Sequence, residues 1–302
     1  MFNDDFLIRF LAYQKERFPL LVLLFTTLAV VLSSYAIISF FTIVSNGSLK
    51  IIMAIFAVLI YLFHIRVIDE CRDLGHDNQH HQRRPIQRGL ISIEEIKRLD
   101  CFGLLIFIGI SIWYGPYTFI LGSIALLFSF VASRDFFLGE IIRKKFLIYN
   151  AINLVQTVIL QTFTYTIFSS VWHTFSILWA HIIFVLSSSI LIEFVRKIKI
   201  KEEESSGWDT YSWHFGFRKS LWIYGLLSII MYLLFLIIVD ALQILSGIVF
   251  VISMIFFMLL VSAIWWHSKR QSKLSENLLL FNTLVMYNGL HLIIYFTIKL
   301  LL

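Results

Sequence analysis

From about residue 18 to about residue 299 the chain is a succession of apolar runs, most of them roughly 18 to 25 residues long, separated by short polar breaks. A helix rises about 1.5 Å per residue, so a run of this length covers a hydrocarbon core about 30 Å thick. Inside that core each peptide group must find its hydrogen-bond partner within the protein, and long uninterrupted apolar runs do so as helices. Nine runs stand out, near 18–42, 49–68, 100–114, 117–134, 147–168, 172–194, 220–239, 243–266 and 278–299. The predicted fold is therefore an all-α integral membrane protein, a bundle of nine transmembrane helices. It forms one transmembrane domain over residues 1–302, with polar cap loops at 69–99 and 195–219. Hydrophobic residues are 59% of the chain and charged ones 15%, which leaves no stretch for a separate soluble domain.

Charge predicts orientation, because Lys and Arg are retained in cytoplasmic loops. Nearly all the basic residues fall in the connections at 69–99, 134–146, 195–219 and 267–275, whereas "VSNGSLK", "GPY", "SSV" and "DALQ" are almost uncharged. An odd number of crossings then puts the N-terminus, with Arg9, Lys15 and Arg17, in the cytoplasm and the C-terminus outside the cell membrane. The charged amphipathic stretch "FLIRFLAYQKERF" reads as a helix on the inner membrane surface, not as a cleavable signal. Cys71 and Cys101 suggest neither a disulfide framework nor a zinc site. The net charge of +6 sits beside the spans, so orientation and anionic lipid account for it, and no nucleic-acid partner is expected.

One stretch breaks the avoidance of charge: "DECRDLGHDNQHHQRRPIQRGLIS", residues 69–92. Asp69, Asp73 and Asp77 recur at four-residue steps, which stacks three carboxylates on one face of a helix leaving the second span. Such a ladder is tolerable if a hard cation sits among the oxygens, and magnesium shared with substrate phosphates suits it. Arg83, Arg84 and Arg88 follow, with planar forks matched to phosphate oxygens. Carboxylates, Mg2+ and arginines together describe a diphosphate site. Spacing alone leaves a second reading open, a solvated face paired with Arg66, Arg72 and Lys97, but charge at a membrane edge is costly and marks function by default. A zinc site on His76, His80 and His81 is the weaker reading, since no second ligand cluster follows at a recognised spacing. A divalent-metal transporter is a further reading, disfavoured because the ladder lies at one mouth of the bundle and no matched pair of interrupted spans is evident.

The same stretch resembles the first aspartate-rich motif of the UbiA superfamily of intramembrane prenyltransferases. Asp69 stands where that motif usually has Asn, Asp73 and Asp77 stand for its aspartates, and Arg84, Pro85 and Gly89 for its "RP...G" loop. The resemblance implies nine helices and a second acidic motif four helices later. In "IEFVRKIKIKEEESSGWDTYSWHFG" Gly207, Thr210 and Gly216 fall in family-like places. Counting back from Gly207, Glu203 takes the place of the second aspartate and Lys199 that of the first, with Glu193, Glu202 and Asp209 nearby. This departure is similar to a divergent branch of the superfamily.

The resemblance implies Asp69, Asp73, Asp77, Glu202 and Glu203 as ligands of Mg2+, with Asp73, Asp77 and Arg84 catalytic. The diphosphate would be bound by Arg83, Arg84, Arg88, Arg143, Lys197 and Lys201, and Arg196 and Lys144 are further cations nearby. It also implies that the cytoplasmic ends of spans two and six face one another across a cavity open to lipid. The implied partners are a polyprenyl diphosphate, membrane lipid and an unknown acceptor. The prenyl cation either passes to that acceptor, in a prenyltransferase, or to its own chain, in a terpene cyclase. Aromatic residues, 17% of the chain, can face a cation, though packing and lipid contact explain them equally. Tyr149, Asn150, Asn153 and Gln156 form a polar stripe on the fifth span that reads as helix packing or as a cavity wall, and His181, Asn288 and His291 are similarly ambiguous.

Overall fold

The computed structural model describes residues 4–137, 139, 146–169, 176–204 and 210–302. Every regular element among them is helical. In chain order these are α1 (Asp4–Arg17), α2 (Leu20–Phe41), α3 (Gly47–Arg72), α4 (Leu74–His80), α5 (Ile93–Trp113), α6 (Pro116–Ser133) and α7 (Phe146–Phe168). They continue with α8 (Ser176–Arg196), α9 (Tyr211–Phe215), α10 (Phe217–Ala241), α11 (Gly247–Arg270) and α12 (Lys273–Leu301). Eight of the described helices are long and apolar enough to cross a membrane. The expected span at 100–114 falls in α5, whose first turns carry Glu94, Glu95, Lys97, Arg98 and Asp100. That charge leaves a shorter apolar stretch, so the count of nine crossings is not confirmed.

The chain divides into two compact units, residues 1–31 with 45–172, and residues 32–44 with 173–302. In the first unit α3 packs against α5 and α7, and α6 against α5 and α7. Gly122 on α6 is required by this packing, because a β-carbon there would lie 2.6 Å from the Ser111 hydroxyl and 3.3 Å from the Phe163 ring. Polar groups inside the unit are paired across helices: Tyr61 donates to the Ala125 carbonyl at 3.0 Å, and His64 bridges Asp100 at 2.8 Å and Ser129 at 3.0 Å. Pairing of this kind holds membrane helices together where no hydrophobic drive exists between them.

Helix α1 does not cross. Its Phe6 and Tyr13, with Phe18 just beyond, pack on Phe63, Val67, Ile91 and Ile96, while Leu7, Ile8 and Leu11 on its other face stay exposed. Two ionic clamps fix it. Arg9 makes a paired contact with Glu95 at 2.9 and 2.7 Å, the same Glu95 that caps α5 with Ser92. Arg17 donates to the buried Glu70 at 2.8 Å, and Arg66 donates to the same oxygen at 2.8 Å. The Arg9 guanidinium, above all, holds the Glu95 carboxyl down at about 2. A carboxyl lowered on folding contributes its full stability above its ordinary value and loses it as pH falls toward the lowered one. The α1 clamp through Glu95 is thus expected to be intact at neutral and mildly acidic pH.

Glu70→Gln keeps the shape but removes the charge that two guanidiniums share. We expect a loss of roughly 1–3 kcal/mol, the worth of hydrogen bonds to a charged group, read as a lower thermal unfolding midpoint in detergent. An unchanged midpoint would mean that the Glu70 charge adds nothing to the hold that the aromatic face and the Arg9–Glu95 pair have on α1.

In the second unit α10 packs on α8, and α11 on α12. Gly289 on α12 lets the Phe256 ring of α11 lie where a β-carbon would sit only 2.4 Å away. Tyr224 and Thr283 are hydrogen-bonded at 2.6 Å, and Tyr232 and Ser253 at 3.1 Å.

Candidate functional site

Helix α3 runs past its apolar portion to Arg72, breaks at Asp73, and resumes as the two-turn α4. The backbone ladder continues through the break: Asp73 N–H donates to the Asp69 carbonyl at 2.9 Å, Asp77 N–H to Asp73 at 2.8 Å, and His81 N–H to Asp77 at 2.8 Å. The one-turn spacing of Asp69, Asp73 and Asp77 is therefore kept although the helix is interrupted. The chain then winds back on itself. Gly89 N–H donates to Ile86 and Leu90 N–H to Pro85, at 3.0 and 2.9 Å, with Gly89 at φ +75°. This pattern of two reversed bonds about a left-handed residue favours glycine, since a β-carbon is strained there. Ahead of it, Arg84 N–H donates to the His81 carbonyl at 3.0 Å, and this turn sets Arg84 against Asp77 of α4.

The three carboxylates have different surroundings. Asp69 and Asp73 share one guanidinium: Arg72 donates to Asp69 at 2.7 Å and to Asp73 at 3.2 Å, and lies 5.5 Å from the centre of the Tyr149 ring. Their side chains remain 33% and 39% exposed, so both can reach a solvated ion. Asp77 is only 2% exposed and is paired with Arg84. Of the partners expected for a solvated face, Arg72 pairs with the ladder, whereas Arg66 turns to Glu70. Arg83 is exposed, and Arg88 is tied to Glu16 at 2.6 Å and to the Arg83 carbonyl. A cleft of about 630 Å³ opens beside the arginine loop, with Glu16, Arg17, His81, Arg83 and Arg84 among its walls and none of the three ladder aspartates lining it. Asp69 and Asp73 lie together on Arg72, whereas Asp77 lies with His76 and His81, so among the described residues the three ladder carboxylates are not gathered at one point; as oxygen donors they are nevertheless of the kind that suits Mg2+.

The second acidic stretch lies in the other unit. Glu193 is paired with Lys197 at 2.7 Å, and the turn at Lys201–Glu203 leaves Lys201, Glu202 and Glu203 exposed. Glu203 accepts from Lys273 at 2.5 Å, and Lys199, where the family has its first aspartate, binds Glu276 at 2.5 Å. Tyr211 N–H donates to the Lys197 carbonyl at 2.8 Å and its ring stacks on Phe194 at 3.8 Å, which closes the loop on α8. Arg143, Lys144, Gly207 and Asp209 lie outside the described residues.

His181 and His291 are fully buried and both bond Ser33, at 3.1 and 2.8 Å, while Asn288 donates to the Leu284 carbonyl of its own helix. Cys71 and Cys101 are free thiols. The sequence reading missed Glu70, the acceptor for two arginines. Arg66 four residues earlier was a signal for it, whereas Arg17, 53 residues away, was not. It also missed the His64–Asp100–Ser129 bridge, whose members are scattered over three helices.

A sequence model described as the UbiA prenyltransferase family matches residues 22–286. No curated protein matches the sequence significantly. Among solved structures, a UbiA homologue from Aeropyrum pernix K1 without ligand superposes with a TM-score of 0.65 at 16% identity, over 92% of this chain and 97% of that one. A UbiA homologue from Archaeoglobus fulgidus bound to DMAPP and Mg2+ gives 0.59 at 13% identity, over 95% and 99%. A structure concerned with digeranylgeranylglyceryl phosphate synthase in membranes gives 0.61 at 18% identity, over 97% and 99%. At these identities the structural likeness establishes the fold.

Proposed function

The chain belongs to the UbiA prenyltransferase family, as an all-helical, multi-pass membrane protein, and on that premise we propose that it is a magnesium-dependent intramembrane prenyltransferase. It ionises a polyprenyl diphosphate and transfers the prenyl group to an acceptor. The observation that carries this reading is the aspartate ladder: three carboxylates in one helical register at the end of a membrane-length helix, with Arg72 and Arg84 already against them. A fold relative is bound to DMAPP and Mg2+ and another to GPP and Mg2+, which supports an allylic diphosphate here.

Asp69, Asp73 and Asp77 would hold the ion. When bound, Mg2+ supplies positive charge to the leaving diphosphate oxygens. The chain's own part is to position and to neutralise. Arg84 can turn to a phosphate oxygen once an ion on Asp77 compensates that carboxylate, because its planar fork matches both carboxylate and phosphate. Arg83 and Arg88 add positive charge where negative charge grows as the carbon–oxygen bond breaks, and such fixed electrostatics is usually the largest catalytic contribution. Asp73, Asp77 and Arg84 are the residues assigned to the chemistry. Basic loops on the cytoplasmic side, an internal N-terminus and an external C-terminus complete the proposal for the cell membrane.

The fate of the prenyl cation is decided by one experiment. Purified protein is incubated with Mg2+ and farnesyl, geranylgeranyl or longer diphosphates, first alone and then with membrane lipid extract. A prenyltransferase leaves the diphosphate unchanged until an acceptor is added. A cyclic hydrocarbon formed without acceptor would assign a terpene cyclase instead.

A further inference from the structure

At the last rung of the ladder, Asp77, lies a set of groups that magnesium does not prefer. A ring nitrogen of His76, an oxygen of Asp77 and a ring nitrogen of His81 come within 4.8 Å of one another. We propose that these three residues form a site for a borderline divalent transition ion of the zinc class. Two imidazoles and one carboxylate are the donors that such ions take, and a hard ion such as magnesium favours oxygen alone. The backbone explains why the three meet. His76 and Asp77 sit in the first turns of α4, and the His81 N–H bond to the Asp77 carbonyl returns the next side chain to the same face.

Ligands about 2.0–2.1 Å from a tetrahedral zinc stand roughly 3.4 Å apart. His76 Nδ1 is already 3.6 Å from Asp77 Oδ1, so rotation of the half-exposed imidazoles suffices to close the set. Arg84 contacts the other oxygen, Oδ2, so the ion can take Oδ1 without displacing it. His80 lies with its ring 4.6 Å from that of His76, a third imidazole at the rim. An ion held by residues 76, 77 and 81 would clip α4 to the arginine loop behind it. Only Asp77 is shared with the proposed catalytic site, and metal binding here stands whether or not the chain transfers prenyl groups.

The test uses the full chain in detergent. Zinc is titrated against a chromogenic chelator in excess magnesium, and tryptic cleavage after Arg83 and Arg88 is followed in parallel. We expect one tightly held zinc per chain, slower cleavage at both arginines when zinc is present, and loss of both effects in His76→Ala/His81→Ala. The variant Cys71→Ser/Cys101→Ser should bind as the parent does. Cobalt on that cysteine-free chain gives a readout needing no histidine variant, the visible bands of a four-coordinate nitrogen and oxygen site. Pale six-coordinate bands, binding that survives removal of both histidines, or binding that disappears with the cysteines would each overturn the site.

Discussion

Asp73→Asn is expected to lower magnesium-dependent diphosphate release by a factor on the order of 10² to 10³, the scale lost when one preorganised electrostatic group is removed from a reacting centre. Asp73 is the middle rung. It is the most exposed of the three carboxylates, at 39%, and it shares Arg72 with Asp69. Its loss halves the negative charge facing that guanidinium and removes the oxygens best placed to take an ion from solvent. Because the side chain is not part of the packed interior, expression, helicity and thermal midpoint should stay near those of the parent. The measurement is inorganic diphosphate released per chain under saturating Mg2+ and substrate. Parental turnover in this variant would reduce the ladder to a surface feature.

Arg84→Ala is expected to act differently, with a large stability cost as well as a loss of activity. It would leave Asp77, 2% exposed, as a buried carboxylate without its guanidinium. Breaking a buried pair from one side costs about 3–5 kcal/mol, because the remaining charge is uncompensated. Asp77→Asn in the same background removes that charge. The double variant Asp77→Asn/Arg84→Ala should therefore recover much of the lost thermal midpoint while remaining inactive, and the recovery measures the coupling between the two. Arg84→Lys should fold better than Arg84→Ala yet turn over slowly, since an ammonium supplies charge without the planar fork. If the double variant were less stable than Arg84→Ala alone, the pair would not be the element that holds the arginine loop to α4.

These two residues also show what the sequence could and could not reveal. The four-residue spacing of the aspartates and the apolar run before them were sufficient to place a carboxylate ladder at the end of a membrane helix, because spacing on a helix is a local property. The break at Asp73 was not legible, since the backbone bonds that carry the register through it depend on the whole turn. The burial of Asp77 was not legible either. It goes with the pairing to Arg84, seven residues later, where the Arg84 N–H bond to the His81 carbonyl turns the chain back. The docking of α1 was read as membrane-surface adhesion from its amphipathic pattern. That pattern does not reveal that its aromatic face meets Phe63 and Ile96, or that its arginines find Glu70 and Glu95 far along the chain. Run length located the spans well, but α5 begins with five charged residues, and hydropathy alone does not say where such a helix enters the membrane.

The second acidic stretch carried its own warning in the sequence. Lys199 stands where the family has an aspartate, and it is paired with Glu276 from the last helix, a partner no local pattern indicates. Glu203, in the place of the other aspartate, is exposed and bonded to Lys273. The first motif is accordingly where the reading should be tested.

The most direct measurement is the affinity of a non-reactive prenyl thiodiphosphate for the purified chain, by calorimetry, with Mg2+ and with chelator. Binding that requires Mg2+ in the parent and is lost in Asp69→Asn/Asp73→Asn is the predicted result. Equal affinity with and without the ion, or undiminished affinity in that variant, would contradict the claim that these carboxylates hold a diphosphate through magnesium.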